Sequence, residues 1–114
     1  MNIICNGTQL SEALTRVIKA LPVKKTIPIL EGVKLSAYGN TLTLTATDTE
    51  LAIQKTINAD VKIEGEALVP GKLFGELIKK LSSEDQIEIS FDDDQMFVIK
   101  YMDSVTSIKA MKLR

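Results

Sequence analysis

Val33-Lys34-Leu35-Ser36-Ala37-Tyr38-Gly39-Asn40-Thr41-Leu42-Thr43-Leu44-Thr45-Ala46-Thr47-Asp48 alternates apolar and polar residues on both sides of Gly39-Asn40. Alternation with a period of two marks a strand with one buried face, and Gly-Asn suits the positive φ of a two-residue turn. The stretch therefore predicts a β-hairpin with Val33, Leu35, Ala37, Leu42, Leu44 and Ala46 on one face.

Upstream the period changes. Leu10, Ala13, Leu14, Val17, Ile18 and Leu21 form one apolar stripe at helical spacing, with Thr8 as the expected N-cap and Pro22 as the stop. Glu12, Arg16 and Lys19 share the other side, and residues 3–5 read as a short preceding strand. Downstream, residues 51–57 read as a third strand of the meander. The pattern then restarts. Residues 66–69 read as a strand, Pro70-Gly71 as a break, and residues 72–81 as a helix with Leu73, Phe74, Leu77, Ile78 and Leu81 on its stripe. Gly75 weakens that helix modestly. Ile87, Ile89 and Phe91 alternate, Asp92-Asp93-Asp94 reads as a turn, and residues 95–101 and 104–109 give two more strands.

The order is strand, helix, three strands, stated twice, with little identity between the halves. Neither half buries its faces well alone. Pairing them about a pseudo-twofold axis predicts an α+β domain over residues 1–114, with antiparallel sheets and both helices packed on one side. Both polar helix faces would then point the same way.

The 114 residues suit one domain, with 45% hydrophobic and 25% charged residues. No apolar run approaches the ~18 residues of a membrane span. Residues 1–6 lack a basic, signal-like start, and the single cysteine fits a strand residue in a reducing cytoplasm. The net charge is −1, but its distribution is uneven. Residues 13–30 hold Arg16, Lys19, Lys24 and Lys25 and no acid, whereas residues 84–94 hold six acids and no base. Such segregation presents opposite fields on different surfaces.

Catalytic chemistry has little to work with. The chain has no histidine, so Cys5 lacks an activating base. Asp48 and Glu50 read as a polar turn, and residues 92–94 lack the loop spacing and terminal glutamate of a calcium site. The six glycines do not form a phosphate cradle. We expect no catalytic residues, no metal and no cofactor. The helix faces carry more. Lys72, Glu76, Lys79 and Lys80 sum to +2 on the second helix, while Glu12, Arg16 and Lys19 sum to +1 on the first. The ordinary reading is two solvated faces. The sharper one is a shallow basic surface that touches phosphates without reading bases.

Three segments in order carry a resemblance: T-x-P-I-L at residues 26–30, L-T-x-T-D-x-E at residues 44–50, and the Val69-Pro70 step followed by Lys72, Phe74 and a short helix. Over essentially the whole chain they resemble the N-terminal domain of the bacterial sliding clamps, the beta subunit of DNA polymerase III. The resemblance implies a DNA-clamp fold and a non-catalytic processivity factor, cytoplasmic in bacteria. It implies a ring of two protomers, each carrying three such domains, that tethers a polymerase to duplex DNA. Any nucleotidyltransferase activity would belong to the holoenzyme.

It also implies that Lys24 and Lys72 touch the DNA backbone, with Lys79, Arg16, Lys19, Lys25 and Lys80 adding to a positive channel. Thr106 and Ile108 would lie on an edge strand that joins the neighbouring protomer, with Ile108 and Thr106 adding side-chain contact. Polymerase and clamp loader would bind domains beyond Arg114. The rival reading is a small protein-interaction module that pairs through an edge strand without binding DNA.

Overall fold

The computed structural model describes residues 1–19, 32–47, 51–83, 86–91 and 96–110. The hairpin forms as its alternation requires: β2 (Gly32–Tyr38) and β3 (Thr41–Thr47) pair antiparallel with Tyr38 opposite Thr41. Gly39 sits at φ 63 and Asn40 does not have positive φ, the arrangement of a II′ turn. Leu35, Ala37, Leu42 and Leu44 are fully buried on its inner face.

The remaining elements are β1 (Asn2–Cys5), α1 (Gly7–Ile18), β4 (Ala52–Asn58), β5 (Asp60–Ile63), β6 (Gly65–Pro70), α2 (Gly71–Lys79), β7 (Ile87–Phe91), β8 (Met96–Tyr101) and β9 (Ser104–Lys109). They form two antiparallel sheets, ordered β5-β1-β7-β8-β9 and β4-β3-β2-β6. The two halves interlock by exchange. The leading strand β1 pairs with β7 of the second half, and β6 pairs with β2 of the first. Each meander thus gains a fourth strand from the opposite half, and one core runs through both sheets and under both helices.

α1 rests on β3 and β4 and against α2. α2 is pinned by Phe74, which meets Phe97 of β8 edge to face at 5.6 Å and 61°. At the helix crossing, a Cβ placed on Gly75 would stand 2.5 Å from Ile18 Cδ1. The glycine costs helix propensity but permits close approach.

Several local expectations change. Asn6, not Thr8, caps α1: its side chain accepts a hydrogen bond from the Gln9 N–H at 2.9 Å. Thr8 lies inside the first turn, where its hydroxyl donates to the Ser82 carbonyl. Leu73, expected on the stripe of α2, is 48% exposed, because Gly71, Phe74 and Ile78 set the buried face about 100° away. β5 is an additional strand that pairs with β1. The 26–30 segment, Leu21, Pro22, Asp48, Glu50 and residues 92–94 lie outside the described residues.

Burial pushes the Cys5 thiol up from 9.0 to about 12. An unfolded chain gives up this proton near its ordinary value, while the folded chain keeps it. The contribution to stability is therefore complete below about pH 9 and is lost as pH rises toward 12. Urea midpoints of the parent and Cys5→Ala are expected to differ by a constant amount below pH 9. Above it they should converge, because only the parent carries this alkaline loss. A difference independent of pH would exclude thiol titration as a factor.

Candidate nucleic-acid interface

α1 and α2 lie side by side on the core, so their outer faces form one surface. Arg16 and Lys19 stand exposed at the C-terminal end of α1; Lys72 and Lys79 stand exposed on α2, with Lys80 at its C-cap. Between the helices runs a cleft of about 270 Å³. Leu14, Thr15, Ile18 and Gly75 line it together with Lys72, Glu76 and Lys79. Of the seven basic residues singled out in the sequence, five stand on or at the ends of these two helices, and Lys72 and Lys79 come together beside the cleft. Lys24 and Lys25 lie outside the described residues.

The electrostatics set these five apart. Among the described residues the ion pairs are Lys34–Glu66 at 3.6 Å and Lys62–Asp60 at 3.1 Å, both on strands. None of the five helix cations has a described carboxylate within 4 Å. Lys72 sits in the first turn of α2, where neither helix carries an acid. A cation there opposes the helix macrodipole and adds to the positive potential of the free N–H groups. The placement works against helix stability and in favour of holding an anion.

The sheet edges complete the geometry. β9 is an edge strand, paired with β8 on one side. Thr106 is exposed and lines a groove with Leu77, Lys80, Leu81, Ile99, Tyr101 and Ser104. Ile108 corrects the expectation made for it. Its side chain is 5% exposed and packed into the core opposite Phe97, so only its backbone is free to meet a neighbour. Val105, on the other face of the strand, is 62% exposed. The sequence reading missed this exchange of roles, since alternation alone does not say which face meets the core. It also left unstated that β4 and β6 form the two edges of the second sheet.

Among the described residues, no group of three or more His, Cys, Asp or Glu side chains gathers to hold a metal ion. No described helix is long and apolar enough to cross a membrane.

The family described as DNA polymerase III beta subunit, N-terminal domain, matches residues 1–113. The chain belongs to this family. Among curated clamp proteins it is 34% identical over 106 residues to the beta sliding clamp of Halalkalibacterium halodurans, covering 86% of this chain and 28% of that one. To the beta sliding clamp of Synechocystis it is 34% identical over 109 residues, covering 94% and 28%. The DNA polymerase sliding clamp of Caulobacter crescentus superposes with a TM-score of 0.91 at 28% identity, covering 97% of this chain and 30% of that one. The chain thus spans less than a third of the length of these clamps. Its α+β architecture is that of the clamp domain.

Proposed function

We propose that this chain is the first domain of a non-catalytic, DNA-encircling processivity factor that tethers a replicative DNA polymerase to duplex DNA in the bacterial cytoplasm. The observation that carries the reading is the set of helix cations without carboxylate partners among the described residues, in a chain of the clamp family. Cations free of internal partners are available to phosphates, and rigid helices hold them at fixed spacing. Lys72 and Lys79 beside the cleft are the principal backbone contacts. Arg16, Lys19 and Lys80 extend the field, as do Lys24 and Lys25. In the same reading the open edge of β9 joins a neighbouring protomer through its backbone, with Thr106 beside the junction. Two further domains complete the protomer and carry the polymerase and clamp-loader contacts.

Such a surface binds weakly and without regard to sequence, because phosphate contacts position a protein but do not specify bases. Fluorescence anisotropy on several unrelated duplexes is expected to give a common Kd of about 10⁻⁴ M or weaker at physiological salt, with log K falling against log[salt] at a slope of roughly −3. Lys72→Ala should weaken every duplex alike and flatten the slope by about 1. A marked preference for one sequence, or an unchanged slope, would remove Lys72 from the proposed contact.

A further inference from the structure

The charged residues of α2 occupy one arc. At about 100° per residue, Lys79, Lys72, Glu76 and Lys80 follow one another over roughly 100° of the helix circumference, opposite the Phe74–Ile78 face. All four are exposed, and Glu76 falls inside the arc. It lines the inter-helix cleft together with Lys72 and Lys79. Along the axis Lys72 and Lys79 are about 10 Å apart, with Glu76 between them. Yet no lysine lies within ion-pair distance of Glu76 among the described residues, so it is not consumed in bracing the helix. A free carboxylate amid free ammonium groups repels the phosphates those groups attract.

We propose that Glu76 is an attenuating residue of the backbone-binding surface. The proposal rests on the DNA-binding reading above. Glu76 lowers the affinity of the α2 face for phosphate and divides it into separate seats at Lys72 and Lys79. A phosphate passing from one lysine to the next crosses the field of the carboxylate. A lysine released by phosphate has a nearby anion to face in the interval. Both effects keep contacts weak and exchangeable, which a tether that moves along DNA requires.

The test compares the parent chain with Glu76→Gln, Glu88→Gln and Lys79→Ala by anisotropy on one fluorescent duplex. Folding of each variant is verified by circular dichroism. Glu88 lies on β7 between the buried Ile87 and Ile89, on the sheet face turned away from the helices, so its variant changes net charge equally at a distance. At about 20 mM salt, where screening is weak, Glu76→Gln should bind about fivefold tighter than the parent, and at about 300 mM the two should converge. Glu88→Gln should match the parent, and Lys79→Ala should bind more weakly. If Lys79→Ala weakens binding but Glu76→Gln binds no more tightly than the parent or than Glu88→Gln, the attenuation is overturned while the DNA-binding surface stands. If neither Lys79→Ala nor Glu76→Gln changes affinity, the helix face is not the contact surface and both readings are overturned.

Discussion

Replacing Phe74 with alanine is expected to lower the midpoint of thermal unfolding by about 20 °C, from a loss of about 3–5 kcal/mol in a chain of this size. Phe74 is fully buried, and its ring meets Phe97, which in turn contacts Phe91 at 5.8 Å. Through these rings α2 is fastened to the five-stranded sheet. The alanine loses the transfer energy of the side chain and leaves a cavity that the surrounding strands cannot close. It also loosens the helix carrying Lys72 and Lys79. Phe74→Leu, which retains most of the volume, should cost markedly less. Calorimetric melts of both variants read the difference directly. A shift of only a few degrees for the alanine would mean that α2 is held elsewhere.

Reversing both cleft lysines should abolish binding while sparing the fold. Lys72→Glu combined with Lys79→Glu turns the strongest part of the positive surface negative. Duplex affinity at low salt is expected to fall by about a hundredfold or more, since two phosphate contacts become repulsive. Both side chains are exposed and free of described ion pairs, so no internal bridge is broken. Glutamate in the first turn of α2 even agrees with the helix macrodipole, a gain of about 0.3–1 kcal/mol that offsets the less favourable acid in the last turn. The variant should therefore melt within a few degrees of the parent and no longer shift duplex anisotropy. Undiminished binding by a folded variant would move the contact surface away from these helices.

The sequence carried most of the elements because their signals are local. The β2–β3 hairpin follows from alternation around Gly39-Asn40, and both helices follow from stripes at a spacing near 3.6 residues. The basic residues on those helices were equally legible, since a helix stripe implies its own polar side. Short-range ambiguity accounts for the smaller differences. Asn6 and Thr8 are both competent caps, and the position of the Ser82 carbonyl, which takes up the Thr8 hydroxyl, is not encoded nearby. β5 offers only Val61 and Ile63 as apolar residues and is recruited through its pairing with β1.

By itself, then, the sequence determined the α+β class, the repeated strand-helix-meander pattern, the interior face of the hairpin and the cationic helix faces. Only the tertiary structure decided the exchange of β1 and β6 between the halves, the sides on which Ile108 and Val105 lie, and the cleft that sets Glu76 among lysines. The physical reason is range. Periodicity and turn chemistry act over a few residues and survive in any local reading. Strand partners such as Cys5 and Ile87 are joined by burial of a common core. That burial is a property of the whole chain, because neither half has apolar surface enough to settle its pairing alone.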